Sequence, residues 1–266
     1  MSQPYWHKQA NQPLFPDLLW ARPETKQTAG KLLIVGGNTH SFAAPAAAFA
    51  AANTAGIGTC RVIMPDALRK TLRTVFPEAE YAPSTPSGSF ARSSLAELLD
   101  AASWADGVII AGDSSKNSET TALYETFLAK YHGLLTLAED AVDVAVQHRD
   151  ALLSRQATVL IPTLAQLQML ASQLRLPYTF TSSTNLTHYV EYLHSLTTEF
   201  PNLLIMTRHE AIWLVASKGK VSSTPVKSNH LSDIHVAATA ATWWLQNPTQ
   251  PHAALTTSLV AAEASQ

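Results

Sequence analysis

The chain has 266 residues, of which 46% are hydrophobic and 14% are charged, and it contains one cysteine. This length is sufficient for one large or two small domains that bury a substantial core. The formal charge of −2 provides no attraction to nucleic acid or to an anionic membrane, and a single cysteine excludes a disulfide framework.

The compartment follows from the same composition. Cys60 falls within a predicted buried strand, which indicates a reducing, cytoplasmic environment. No apolar run reaches the roughly 20 residues that a membrane helix needs. The first residues lack the basic and then apolar layout of a signal peptide. We therefore expect a cytoplasmic protein without a membrane partner.

Residues 1–30 are rich in proline, glutamine and aromatic side chains. Such a segment is too apolar for a free tail and is broken too often by proline for a long helix. We expect an arm that lies over the domain or over a second subunit, so that a homo-oligomer is one possible arrangement. The remaining residues, 31–266, are predicted to form a single α/β domain.

Residues 30–62 predict a strand, a glycine turn, a helix and a second strand. The apolar run 32–35, closed by Gly36 and Gly37, is typical of a strand that is buried on both faces of a parallel sheet. The run 60–64 is expected to lie parallel to it after a right-handed crossover. The glycine turn opens at the carboxyl end of the first strand, where open α/β sheets bind ligands.

The helix between these two strands has its own start and stop signals. Ser41 is available as its N-cap. Pro45 falls in the first turn, where a missing N–H group costs little. Gly56 and Gly58 supply the stop.

Short strands and helices alternate along the rest of the chain. The sequence predicts a strand and loop over 78–86, strands over 107–111, 134–137, 157–161 and 203–206, and helices over 66–76, 95–102, 117–131, 141–154, 164–174 and 184–200. A hairpin over 211–225 and alanine-rich helices over 233–246 and 251–262 follow. The predicted fold class is α/β, a doubly wound and mostly parallel sheet flanked by helices on both faces, with a late antiparallel hairpin.

Residues 36–62 resemble the opening segment of the ADP/ATP-dependent NAD(P)H-hydrate dehydratases, which belong to the ribokinase-like superfamily. That family reads G-G-S-x-G-Y-x-G-A-P, then an alanine-rich helix, A-G-A-G and a valine-rich strand. The matching residues are Gly36, Gly37, Ala44, Pro45, Ala55, Gly56 and Gly58. Asn38 and Ala43 stand where the family has serine and glycine. The resemblance continues in order and spacing over nearly the whole chain beyond residue 30, and it implies a ribokinase-like fold.

The resemblance also implies a reaction. Such an enzyme uses ADP or ATP with Mg²⁺ to phosphorylate the hydroxyl group of a hydrated nicotinamide ring, and elimination of phosphate then restores the double bond. Asp233 stands in the place of the family's general base, at a helix start that binds the transferred phosphoryl group. The glycines that precede this aspartate in the family are replaced by Asn229, His230 and Ser232, which still offer N–H groups to phosphate. An equal alternative is that Asp233 is the N-cap of the helix.

Two other segments are assigned by the resemblance. Thr207 and Arg208 end a strand that, in the superfamily, lies beside the nucleotide phosphates. A guanidinium group can contact a phosphate through two N–H groups, although Arg208 can equally be a solvated charge at a hairpin turn. Gly36, Gly37 and Asn38 are expected to line the substrate loop.

Three further substrate-binding candidates stand where the sequence departs from the family. Asp113 lies in a loop that has only one of the family's glycines. Asp140 matches the second aspartate of V-V-L-D-A-D-A and can hold magnesium through water, orient a ribose hydroxyl, or act as an N-cap, which its residue type favours. Thr163 and Gln166 replace the histidine and glutamate of L-T-P-H-x-G-E, so a helix N-cap is the favoured interpretation of Thr163.

Two other functions are consistent with these residues. The replaced glycines fit a ribokinase-like protein that binds a nucleotide or a partner without catalysis. A small-molecule kinase of the same superfamily, acting on a vitamin or a sugar, is the third possibility. In each case the expected ligands are small nucleotides rather than nucleic acid.

Overall fold

The structure is a computed structural model that describes residues 3–9, 13–114, 117–226 and 231–264. The strands in these residues are β1 (Trp6–Lys8), β2 (Lys31–Gly36), β3 (Thr59–Pro65), β4 (Ala79–Ala82), β5 (Gly107–Gly112), β6 (Leu134–Leu137), β7 (Thr158–Leu160), β8 (Leu203–His209), β9 (Ile212–Ser217) and β10 (Lys220–Pro225). The α-helices are α1 (Pro16–Trp20), α2 (Ala43–Thr54), α3 (Arg69–Leu72), α4 (Leu95–Trp104), α5 (Ser118–Lys130), α6 (Asp140–Gln147), α7 (Arg149–Ser154), α8 (Leu164–Gln173), α9 (Leu186–Glu199), α10 (Asp233–Gln246) and α11 (Pro251–Ala264).

The strands of the described residues form one ten-stranded sheet in the order β1-β10-β9-β8-β7-β6-β5-β2-β3-β4. The strands from β8 to β4 in this order are parallel, whereas β9 is antiparallel to both β8 and β10. The predicted doubly wound sheet with a late hairpin is confirmed. The carboxyl ends of β2, β5, β6, β7 and β8 therefore lie side by side at one edge of the sheet.

The sheet is buried because its central strands are apolar and helices cover both of its faces. The central strands are apolar on both faces: residues 32–35 of β2 and 108–111 of β5 are each at most 1% exposed. Helices α4 to α9 cover one face, and α2, α3, α10 and α11 cover the other. Within the described residues, each helix is too short or too polar to span a bilayer.

Part of the predicted arm belongs to the sheet. Residues 6–8 form β1, which pairs in parallel with β10, and the Trp6 Nε1–H group donates to Ser223 Oγ at 2.9 Å. This segment therefore protects the edge of β10 that would otherwise be open.

Two predicted helices differ from the structure. The helix expected over 66–76 is reduced to a 3₁₀ turn, Asp66–Leu68, and the short α3. The β-branched residues Thr71, Thr74 and Val75 disfavour a longer helix. The helix expected over 141–154 is divided into α6 and α7, because the backbone of His148 leaves the helical region at φ −102° and ψ 48°.

Candidate active site

The loop that follows β2 folds into a closed turn. Gly37 has φ of 90°, and its N–H group donates to the Gly112 carbonyl at 2.9 Å. A β-carbon at Gly36 would lie 2.5 Å from the same carbonyl oxygen, so only glycine fits there. The backbones of Asn38 and Ser41 pair with each other at 2.8 and 3.1 Å. The two glycines are therefore required by the contact between the β2 and β5 loops.

The side chain of Asn38 is used within this turn. It is 6% exposed, its Oδ1 atom accepts from the His40 N–H group at 2.7 Å, and its Nδ2 atom donates to the Asp113 carbonyl. These bonds hold the β2 and β5 loops together. The predicted contacts of Gly36, Gly37 and Asn38 with a substrate stay a prediction.

A carboxylate from the β5 loop binds the N-terminus of α2. The Ala44 N–H group donates to Asp113 Oδ2 at 2.7 Å, a charge-assisted bond at the positive end of the helix. The N-cap residue is Phe42, whose side chain makes no capping bond. The prediction that Ser41 caps α2 is therefore wrong, because a residue from the neighbouring loop satisfies the helix instead. Asp113 itself has φ of 57°, which aspartate tolerates better than most residues.

Asp140 also binds a neighbouring loop. It is the first residue of α6, and its Oδ2 atom accepts from the Ser114 N–H group at 2.9 Å. The N-cap position belongs to Glu139, whose side chain makes no capping bond. The prediction that Asp140 is the N-cap is therefore wrong. Its contact with magnesium or ribose stays a prediction.

Thr163 caps α8, as its residue type predicts. Its hydroxyl accepts from the Gln166 N–H group at 3.3 Å, and Gln166 Oε1 accepts from the Thr163 N–H group at 2.9 Å, which completes a capping box. Gln166 Nε2 also donates to the Glu139 carbonyl at 2.8 Å. The pair thus ties the β7 loop to the β6 loop, while a role of Thr163 in substrate binding stays a prediction.

Sequence reasoning missed Glu139. Its backbone has φ of 50° and ψ of −134°, so its carboxyl group is held in a strained turn at the end of β6. Partial burial raises its pKa, and the nearby carboxylates of Asp233, Asp113 and Asp140 raise it further. The four carboxylates therefore share one region, although three separate loops and helices supply them. The available sequence signal was an acidic pair directly after a buried strand.

Asp233 begins α10 without capping it. Ser232 occupies the N-cap position, and its hydroxyl accepts from the His235 N–H group at 3.3 Å. The alternative that Asp233 is the N-cap is therefore wrong, because the preceding serine takes that position. Burial raises the pKa of Asp233, and the positive charge of Arg208 opposes this rise. A half-buried carboxylate thus lies near a cation at the start of a long helix.

The two predicted nucleotide neighbours on β8 differ in exposure. Thr207 is fully buried, and its hydroxyl donates to the Pro162 carbonyl at 3.0 Å. Arg208 is exposed near the end of the strand. Of this pair, only Arg208 presents a side chain to solvent. Asn229 and His230 lie outside the described residues, and the roles predicted for all of these residues in phosphate binding stay predictions.

Comparison with known proteins identifies the fold. No protein-family model matches the sequence, and no curated protein matches it. A ribokinase-like superfamily protein from Enterococcus faecalis V583 has a TM-score of 0.73 at 16% identity, over 97% of this chain and 87% of that chain. The fold is ribokinase-like.

Other solved structures agree with a ribokinase-like fold. An ADP/ATP-dependent NAD(P)H-hydrate dehydratase from Bacillus subtilis, co-crystallised with ATP and Mg²⁺, has a TM-score of 0.63 at 13% identity, over 96% of this chain and 89% of that chain. A phosphomethylpyrimidine kinase from Clostridium difficile 630 has a TM-score of 0.54 at 11% identity, over 86% of this chain and 97% of that chain. Identities this low show the fold alone.

The acidic groups of the candidate site bear on whether it could hold magnesium. No group of three or more histidine, cysteine, aspartate or glutamate residues in the described chain could hold a metal ion by itself. Two of the carboxylates, Asp113 and Asp140, already accept backbone N–H groups. Oxygen donors of this type suit Mg²⁺ that keeps several waters and is bound mainly through nucleotide phosphates.

Proposed function

We propose that this ribokinase-like protein is a nucleotide-dependent enzyme that dehydrates hydrated NAD(P)H. The observation that carries the proposal is the half-buried Asp233 at the start of α10, with a raised pKa and with Arg208 as the cation that opposes this rise. Phosphoryl transfer needs a positioned base and a positive group for the transferred charge. Helix α10 and the end of β8 supply one of each.

Each residue has a defined task in the proposed reaction. Asp233 accepts the proton of the substrate hydroxyl as that oxygen attacks the terminal phosphorus of ADP or ATP. Its raised pKa makes it a better proton acceptor than an ordinary aspartate. Arg208 donates N–H groups to the phosphate oxygens, and the N-terminus of α10 adds partial positive charge.

The second half of the reaction removes the new phosphate group. The C–O bond of the phosphorylated hydrate breaks, phosphate leaves with the bonding electron pair, and loss of a proton from the adjacent carbon restores the ring double bond. Asp140 and Glu139 would hold Mg²⁺ through water, where the ion would neutralise charge on the nucleotide phosphates. The match of residues 36–62 to the dehydratase pattern and the dehydratase among the structural neighbours support this substrate.

The proposal is tested with a panel of nucleotides and with the hydrate. Calorimetry with ADP and ATP, each with and without Mg²⁺, should show binding to the wild-type chain. Adding the hydrate and the better nucleotide should then restore the absorbance of NAD(P)H. Nucleotide binding without turnover would contradict the proposed dehydratase activity. If the wild-type chain binds no nucleotide, every proposed nucleotide-dependent function is contradicted.

A binding protein without catalysis is the second candidate. Two contacts favour it. Asn38, which stands where the dehydratase pattern has serine, closes the turn after β2, and Asp113, which stands where the pattern has glycine, binds the α2 N-terminus. This candidate predicts nucleotide binding and no turnover.

A vitamin or sugar kinase is the third candidate. It would accumulate a stable phosphate ester rather than release phosphate, which separates it from the dehydratase. Small nucleotides are the proposed ligands in all three cases. The homo-oligomer and the cytoplasmic location stay predictions.

A further inference from the structure

A cavity of about 560 Å³ lies at the edge of the sheet opposite to the candidate active site. Its position follows from the hairpin: Ser217, at the end of β9, pairs with Leu204 near the start of β8, whereas Arg208 lies near the end of β8. The N-terminal segment, the β9–β10 turn and the start of α11 form its walls. It is therefore separate from the proposed catalytic groups.

The ionisable residues among the described ones that line this cavity are all basic. They are His7, Lys218, Lys220 and His252. Burial and, to a smaller extent, the neighbouring His7 and Lys220 together lower the pKa of His252 to about 4. Since two lysines and no acidic residue among those described line the cavity, it carries positive charge.

The start of α11 adds to this positive charge. Pro251 is the first residue of the helix, and the N–H groups of the first turn have no partner within the helix. The helix is 14 residues long, so its N-terminus carries a substantial partial positive charge. The lysines on the β9–β10 turn and this helix start therefore both make the potential in the cavity more positive.

The imidazole of His252 gives independent support for a ligand. Neither Nδ1 nor Nε2 has a hydrogen-bond partner in the described chain, although both atoms are buried. An unpaired buried polar atom lowers the stability of the folded protein. A ligand that draws one ring N–H group toward the cavity removes part of this loss of stability.

The remaining walls are partly apolar. Phe15 meets the ring of His252 edge to face, with ring centroids 6.3 Å apart. Leu14 and Pro251 lie beside it. A cavity of this size, with apolar walls and a few convergent polar groups, has the general character of a small-molecule site.

We propose that this cavity binds a small organic anion, a phosphate or carboxylate group carried on an apolar body. Lys218, Lys220 and His7 contact the acid group, and Phe15 packs against the body. The site is distinct from the nucleotide site and does not depend on catalysis by Asp233.

The test follows the ring signals of His252 by NMR in the full chain, assigned with the His252→Gln variant. The probes are phenyl phosphate, benzoate, inorganic phosphate and benzyl alcohol. We expect a saturable shift with phenyl phosphate or benzoate, and the stronger of the two identifies the acid group. Inorganic phosphate should bind about tenfold more weakly because it lacks the apolar body, and benzyl alcohol should give no shift.

Variants assign the contacts. The double variant Lys218→Gln/Lys220→Gln should weaken the better probe by about tenfold or more, since two charge-assisted contacts are lost. The matched control is Lys70→Gln/Lys130→Gln, which removes two exposed lysines elsewhere. Asp233→Asn should bind the probe like the wild type, whatever its effect on nucleotide turnover.

Three results would overturn the site. These are the absence of a saturable shift with either organic anion, equal binding of benzyl alcohol, and unchanged affinity in the Lys218→Gln/Lys220→Gln variant. Equal affinities of inorganic phosphate and phenyl phosphate would overturn the apolar part of the proposal.

Discussion

Two helices begin at the same edge of the sheet and differ in what binds their N-termini. In α2, the Ala44 N–H group is bound by the carboxylate of Asp113 from the β5 loop. In α10, the neutral Ser232 is the N-cap, and Asp233 is in the first turn under the influence of Arg208. Both helix starts attract anions. The carboxylate at α2 comes from another loop, whereas the carboxylate at α10, Asp233, belongs to the first turn of the helix itself.

The position of a helix N-terminus does not by itself identify a ligand site. A ligand can bind there only if no side chain from elsewhere in the fold already binds the free N–H groups of the first turn. At α2, such a side chain also holds two loops together, so its first contribution is to stability. At α10, the cap is the neutral Ser232, and the carboxylate of Asp233 makes no capping bond, which is the reason that we propose this end as the catalytic one.

The largest expected effect is on turnover, and it tests which helix start is catalytic. Asp233→Asn should lower the rate of nucleotide-dependent hydrate conversion by about 10²–10⁴-fold, because a general base contributes about that much. Nucleotide affinity should change little. Steady-state rates and calorimetry measure the two effects, and Asp150→Asn, which removes an exposed carboxylate, is the control. A larger loss of rate in Asp113→Asn than in Asp233→Asn would reverse the assignment.

The next effect is on stability and concerns the backbone that positions Asp113. Gly112 has φ of 97°, and a β-carbon there would lie 2.4 Å from that of Glu139. Gly112→Ala should therefore lower the free energy of unfolding by roughly 3 kcal/mol, from backbone strain and from overpacking. Urea denaturation measures it.

The matched control for this change is Gly107→Ala at the other end of β5. Its added β-carbon would meet its nearest atom at 3.6 Å, an ordinary contact, so we expect a change below about 1 kcal/mol. Equal losses in the two variants would show that the Gly112 loop can relax, and the contact with Glu139 would not be the reason for the glycine.

A smaller loss of stability is expected when the carboxylate at α2 is removed. Asp113→Ala should cost about 1–2 kcal/mol, since it removes a charge-assisted bond to the helix N-terminus and places alanine at φ of 57°. Asp113→Asn keeps an acceptor and tolerates the left-handed backbone, so it should lose less. Urea midpoints of the two variants measure the difference, and equal losses would contradict a bond to the helix that depends on an acceptor.

Local patterns predicted the fold and one cap. The strand over 134–137 and the helix Asp233–Gln246 have the predicted bounds, because buried apolar runs and alanine-rich helices are determined by nearby residues. Thr163 caps α8 as predicted, since its partner Gln166 lies only three residues away. Hairpin and crossover rules then leave few ways to arrange such elements.

Contacts between distant loops could not be predicted in the same way. Asp113 binds Ala44 and Asp140 binds Ser114, and both bonds join elements that are far apart in sequence. An aspartate at a helix start has the same local pattern whether it caps that helix or binds a neighbouring loop. The predicted role of Asp140 as a cap failed for this reason, whereas at α10 the preceding Ser232 takes the cap position. Glu139 was missed because two of the carboxylates near it, Asp113 and Asp233, come from other segments.

The smallest expected effect tests whether the acidic groups act on one another. The pKa of Glu139 is raised in the folded protein, so its contribution to stability is fully present below its unfolded pKa and is lost as pH rises through the higher folded value. Glu139→Gln should therefore be more stable than the wild type at pH 7, by only about 0.5 kcal/mol because the side chain is partly exposed and solvent screens the repulsion. The gain should disappear near pH 4.

Urea midpoints at both pH values measure this gain in stability. The control is Glu78→Gln, an exposed site outside this region. A gain of equal size at both pH values would mean that the charge of Glu139 is not its cause.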